Sequence, residues 1–436
     1  MYKQINKLAL PAIVAGIAEP LIALADNAII GHLGTTELGA VGLGTSFYLL
    51  VVWILAQTKT AISAIVSKHY GENRLNSLKN LIPLSILVNL CLGLLFLLVT
   101  SIFAYQIFSA YSASGELLDQ TITYFKIRAF GFPLALITFG CFGIFRGMQN
   151  TLWAMKISIT GSVLNLILNI TLVYGIDGII PAFGIKGAAY ASVMAQCIMV
   201  SMAFWYLQTK TPFRVLGKLK FHPQLKNLLG LSSNLFVRTI LLNIAYFLSN
   251  KLCTIYGTEV IAAHTIAMNI WLFSAFFIDG YAAAGNILSG RLLGAKDYEG
   301  LLKLAKKVSL YGMAVGLFLV VIGFLLYTPL GLLFSKEPMV IQRYKEVFWI
   351  VALMHPLNAV AFIFDGIFKG LGKMKYLRNV LLISTFVGFV PTLFILDYFD
   401  YKLYSIWVAF VVWMLFRAGA LIIAFRKQYA PKAAVQ

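Results

Sequence analysis

The sequence predicts an all-α polytopic membrane protein: twelve transmembrane helices in two six-helix lobes related by a parallel internal repeat. Three observations carry this. Of the 436 residues 60% are hydrophobic and only 12% charged, with a mean hydropathy of +0.85, which excludes an ordinary soluble domain. Apolar runs recur at 8–31, 41–67, 80–107, 117–145, 153–175, 185–207, 228–256, 262–290, 304–333, 341–368, 375–396 and 403–425, each long enough to cross a bilayer as a helix and none alternating like a barrel strand. The two halves also match at one constant offset of 223 residues, the separation of Gly34 from Gly257. Ala40 falls on Ala263, Gly71 on Gly294, Leu78 on Leu301, Pro133 on Pro356, and Ile144, Phe145, Arg146 and Gly147 on Ile367, Phe368, Lys369 and Gly370. Six spans is an even number, so the halves share orientation and the repeat axis lies along the membrane normal. The expected division is a lobe over 1–207, a basic cytoplasmic linker over 208–227 and a second lobe over 228–436.

The formal charge of +19 reports topology. Of 35 Lys and Arg residues, 24 fall in one alternating set of loops and span ends, 5 in the other and 6 within spans. By the positive-inside rule both termini are expected in the cytoplasm, and nucleic acid is not the expected partner. The first span is too long for a signal-peptide core and is read as retained in a bacterial cytoplasmic membrane. The cysteines, Cys91, Cys141, Cys197 and Cys253, stand singly in different spans and outline neither a disulfide framework nor a zinc site.

The first span carries Glu19 and Asp26 where lipid is expected. A carboxylate there is costly, so it marks function by default. Seven residues apart, the two return to nearly one helix face and are placed to line one cavity. Pro11 and Pro20 remove backbone donors and make this helix a candidate to bend. Spans 2 and 4 end in Lys68, His69, Tyr70, Gly71 and in Arg146, Gly147, which reads first as helix capping. Asn165 and Asn169 in span 5, and Ser192 and Gln196 in span 6, are each four apart on one face. They either bind helices together or build a site. In the second lobe Arg238, Asp279 and Asp365 lie in spans 7, 8 and 10, with Arg238 expected to neutralise one of the two acids. Arg128 and Lys126 are similarly placed to partner Glu19. Ser249 stands where the repeat places the counterpart of Asp26, so the lobes differ chemically.

At the stretch Leu24, Ala25, Asp26, Asn27, Ala28, Ile29, Ile30, Gly31, His32, Leu33, Gly34 the chain resembles the multidrug and toxic compound extrusion (MATE) family. The Arg146, Gly147 turn adds to this. Arg238, Ala262, Ala263, His264, the run from Phe277 to Gly280 and the run from Phe362 to Phe368 place it near the DinF-like branch. The resemblance covers all twelve spans and implies a secondary antiporter exporting organic cations or amphipathic compounds for H+ or Na+. It implies that Asp26 is the proton-coupling residue, with Asn165 and Asn169 at the family's Asn and Asp positions, Ser192 at its small hydroxyl, Tyr124 at its span 4 tyrosine and Pro11 at its bending proline. Asn169 departs from a carboxylate found in many relatives. Asn358 stands near the acid that Na+-coupled relatives use in span 10, so H+ is the favoured ion and Na+ the less favoured.

The expected function is efflux by alternating access with protonation of Asp26. No cofactor or metal is expected; the partners are small-molecule substrates and the bilayer, and the chain is expected to act as a monomer. The alternative within transport is a flippase for a lipid-linked precursor. An enzyme is less favoured: the five histidines are scattered, and the sequence holds no HExxH, GxSxG or Walker A motif.

Overall fold

A computed structural model describes residues 2–435 except 216, 218 and 219; within 19–25 and at 27 it describes the backbone and not the side chains. Glu19, expected to line the cavity, and Pro20, expected to let the helix bend, therefore lie outside the described side chains.

The chain is helical throughout, and among the described residues the only β pairing is an isolated bridge between Ile176 and Ile180. In order the spans are α1 (Tyr2–Gly31), α2 (Thr35–Gly71), α3 (Leu81–Ile102), α4 (Gly115–Ala129 and Gly131–Gly147), α5 (Leu152–Tyr174) and α6 (Ile185–Lys210). There follow α7 (Gln224–Tyr256), α8 (Thr258–Gly294), α9 (Tyr298–Phe334), α10 (Pro338–Leu353 and His355–Gly370), α11 (Met374–Tyr398) and α12 (Leu403–Ala434). Among the described residues nine of these helices are long and apolar enough to cross a membrane, and α4 and α10 join them as pairs bent by 41° and 49°. With α1 this is the twelve-helix all-α fold that the sequence predicts, and the protein is a multi-span membrane protein. Large apolar side chains such as Leu98 on α3 and Leu325 on α9 are exposed, as suits a face solvated by lipid tails.

The sequence does not announce the bends, which have a local cause. Pro133 and Pro356 lack the N–H that would close the turn onto residues 129 and 352, and each stands just after its break. At the second bend the Ala352 carbonyl lies 2.9 Å from His355 Nδ1. Inside α11 a π-helical turn, Ser384–Phe389, widens the helix, and there Trp413 Nε1 of α12 donates to Thr385 Oγ1 at 3.0 Å.

Two compact units result. One comprises residues 14–232, the other 2–13 with 233–435, so the boundaries fall inside α1, between Ile13 and Val14, and inside α7, between Ser232 and Ser233. In the first unit the core packs Ile62, Ile65 and Val66 of α2 with Phe142 and Phe145 of α4. In the second, Ile5, Leu8 and Ala9 of α1 pack with Ala284, Leu288 and Leu304, and a separate aromatic core gathers Trp271, Trp407, Phe410 and Trp413.

The repeat is written in close helix contacts inside each unit. Gly93 lies so close to α4 that a Cβ there would sit 2.3 Å from Pro133 Cα, and Gly316 stands likewise 2.9 Å from Pro356 Cα. Gly143 abuts the Lys59 carbonyl (2.5 Å) as Gly366 abuts that of Ala282 (2.2 Å). Each pair of partners is separated by the same 223 positions.

Candidate substrate and coupling site

The site grows from the end of α1. Ile29 and Ile30 are buried with Val41, Tyr124, Val173, Ala188 and Ala189, and Tyr174 Oη donates to the Ile29 carbonyl at 2.6 Å. This anchorage fixes Asp26, one turn earlier, at 7% exposure. Asn169 of α5, fully buried, donates its amide Nδ2 to Asp26 Oδ1. One turn away Asn165 Nδ2 donates to Ser192 Oγ of α6 at 3.2 Å. The spacing of four thus brings both asparagines to the same face, and Oδ1 of each is buried with no partner among the described residues.

A second polar layer adjoins the first. Tyr124 Oη of α4 and Thr45 Oγ1 of α2 are 2.9 Å apart. Arg128, one turn beyond Tyr124, lays its guanidinium 3.7 Å from the centre of the Tyr48 ring and donates to Gln196 Oε1 at 3.3 Å. Gln196 Nε2 in turn donates to Tyr48 Oη at 3.1 Å. Gly131, at the α4 bend, makes the room: a Cβ there would stand 2.2 Å from Gln196 Oε1 and 2.5 Å from Arg128 Nη1. Arg128 remains within electrostatic reach of Tyr124 and Asp26, yet among the described residues no cation lies within ion-pair distance of Asp26. Lys126, by contrast, is exposed.

So the fold brings Asp26, Asn165, Asn169, Ser192, Gln196 and Tyr124 into one unit. Thr45, Tyr48 and the closed triangle of Arg128, Gln196 and Tyr48 were not foreseen; the available signal was that Thr45 and Tyr48 share a helix face. α1 runs unbroken through Pro11. In the other unit, Arg238 Nη2 meets Asp365 Oδ1 at 2.6 Å and Lys369 Nζ meets Asp365 Oδ2 at 2.7 Å. Of the two acids left open for Arg238, Asp365 is the one paired. Asp279 is exposed and, among the described residues, has no cation at ion-pair distance.

The duplicated helical chain that carries this site matches known proteins across its length. The model of the family described as MatE fits residues 11–171 and again 235–394, once in each half. The chain belongs to the MatE family. It is a membrane transporter of the multidrug-efflux class, and membership does not favour the lipid-precursor flippase. Among its relatives, Protein DETOXIFICATION 44, chloroplastic, of Arabidopsis thaliana is 28% identical over 96% of this chain and 81% of its own. DNA damage-inducible protein F of Escherichia coli (strain K12) is 25% identical, covering 98% of this chain and 92% of its own, consistent with the DinF-like branch. A solved structure described as "Crystal structure of MATE in the bent conformation" superposes with a TM-score of 0.92 at 21% identity, covering 100% of this chain and 96% of that one. At that identity it speaks for the fold of this MatE protein alone.

Proposed function

We propose that this MatE transporter is a secondary antiporter that exports organic cations or amphipathic compounds in exchange for H+, with Asp26 carrying the proton. The supporting observation is the setting of Asp26: buried, hydrogen-bonded by a neutral amide, and without a cation at ion-pair distance among the described residues. Protonation cancels a charge that, among the described residues, is met by the Asn169 amide and the more distant Arg128. The unpartnered Asn165 and Asn169 oxygens offer acceptors to a proton arriving there. A group whose interactions differ between charged and neutral forms is what a proton needs in order to bias two conformations. Helix α1 is the element that would move, with Pro11 as its weak point. Asn169 in place of a carboxylate leaves fewer charges for Na+, which is the second choice of ion. We further assign both termini to the cytoplasm, the protein to a bacterial cytoplasmic membrane and the working unit to the monomer.

The test is substrate-driven proton movement in proteoliposomes with ethidium as the probe, wild type beside Asp26→Asn, with and without Na+. Coupling in wild type, absent in the variant and indifferent to Na+, is the expected result. Coupling retained in Asp26→Asn would remove Asp26 from the mechanism.

A further inference from the structure

We propose that the unit built from residues 233–435 holds a binding site for an organic anion, a carboxylate or sulfonate on an apolar body, received by Arg417 and Arg238. Four helices converge there. Arg238 comes from α7, Asp279 from α8, Asp365 and Lys369 from α10 and Arg417 from α12; both carboxylates are within electrostatic reach of all three cations, and Arg238 of Lys369 and Arg417. Arg238, Asp365 and Arg417 are each no more than 5% exposed.

The charges do not balance. Among the described residues three cations face two carboxylates, and Asp365 is already held on both oxygens by Arg238 and Lys369. Arg417 has no carboxylate at ion-pair distance among the described residues. Its guanidinium donates to the Met414 sulfur at 3.3 Å and lies 4.9 Å from the Trp413 ring and 5.6 Å from that of Phe362. A thioether and two ring faces are weak partners for a group that elsewhere forms bidentate pairs with carboxylates. Arg238 Nε is likewise buried with no partner among the described residues. A surplus cation withdrawn from water is costly until an anion joins it, and the unused N–H donors are of the kind that receive a carboxylate. Phe362 and Tyr246, half-buried near Arg417, suit an aromatic or amphipathic body. Asp279, exposed, is the carboxylate that an incoming anion must approach and that opposes it. The inference goes beyond the proton-coupling proposal and does not depend on it, since none of these residues belongs to the Asp26 site.

The measurement is equilibrium dialysis of radiolabelled 2-naphthoate with the full-length protein, in neutral detergent and in phosphatidylcholine nanodiscs. Wild type is expected to bind saturably, and 2-naphthalenemethanol, which lacks the charge, not to compete. Arg417→Gln should weaken binding about tenfold or more, as loss of a buried charge partner does. Asp279→Asn should tighten it several-fold, a gain that damage to the fold does not produce. Asp26→Asn should bind as wild type, which keeps this result separate from the fate of proton coupling. Absence of saturable binding by wild type would overturn the assignment, as would Asp279→Asn binding no tighter than wild type. Loss of binding on changing the nanodiscs to phosphatidylglycerol would give the cations to a lipid headgroup and overturn it too.

Discussion

Asp26 and Asn169 act on one another across α1 and α5, and that contact can be isolated. Asn169→Leu removes the amide that donates to Asp26 while keeping a similar volume, so coupling should fall. In the Asp26→Asn background the same change should add almost nothing, because the two then share one lost interaction. Ethidium-driven proton movement reads the loss in Asn169→Leu; for the cycle, where Asp26→Asn alone abolishes coupling, the readout is the thermal unfolding midpoint of the four proteins, and additive shifts would show that Asn169 acts independently of Asp26. Asp365 carries a different kind of prediction. Asp365→Asn leaves Arg238 and Lys369 facing one another without a carboxylate, and breaking a buried pair in this way typically costs about 3–5 kcal/mol. A clearly lowered thermal unfolding midpoint is expected, whereas Asp279→Asn, at an exposed and unpaired position, should leave it nearly unchanged. Asp26 and the two asparagines were legible in the sequence because ionised and amide side chains are rare and costly in lipid. The triangle of Arg128, Gln196 and Tyr48 was not, since its members lie 68 and 148 positions apart and only tertiary packing brings them together.

At the scale of the helices, glycine is used for two opposite reasons. Gly93 sits where α3 crosses α4, and its missing side chain is filled by the backbone of Pro133, at 2.3 and 2.7 Å from where a Cβ would stand. Backbone cannot step aside as the tip of a flexible side chain can, so Gly93→Ala should force the two helices apart at a cost of about 1–3 kcal/mol. Its repeat counterpart Gly316 meets Pro356 at 2.9 Å, and Gly316→Ala should cost less. Gly42 lies within α2 with no atom within 4 Å of the added carbon, so Gly42→Ala should instead stabilise by about 0.5–1 kcal/mol through the helix preference of alanine. Thermal midpoints of the three variants in one detergent test the order; equal effects at all three would deny the crossings their role. Span positions were readable because hydropathy over about twenty residues survives any packing detail. The bends in α4 and α10 were not, because an apolar run reads as one span whether straight or broken, and Pro133 and Pro356 mark only where a donor is missing.

On the scale of the whole chain, one frame serves twice with different chemistry. The repeat offset places Ser249 at the counterpart of Asp26, while Arg238, Asp279, Asp365 and Arg417 fall on Ala15, Ala56, Phe142 and Met194. The glycines that set helix spacing are kept, and the polar residues are exchanged, so duplication of the scaffold was visible in the sequence while the use of each half was not. Topology follows from the same chain-wide view. The loops rich in Lys and Arg include those around Asn73 and Gln149, and the poor ones those around Asp177 and Asp400. Basic residues near span ends set orientation because they resist transfer across the membrane, whereas acids contribute little. Single cysteines placed at 73, 149, 177 and 400 in a chain cleared of its four native thiols should therefore divide cleanly. In intact cells a membrane-impermeant maleimide is expected to label Asp177→Cys and Asp400→Cys and to reach Asn73→Cys and Gln149→Cys only after permeabilisation. The reverse pattern would invert the protein in the membrane and put both termini outside, and with them the side from which a proton reaches Asp26.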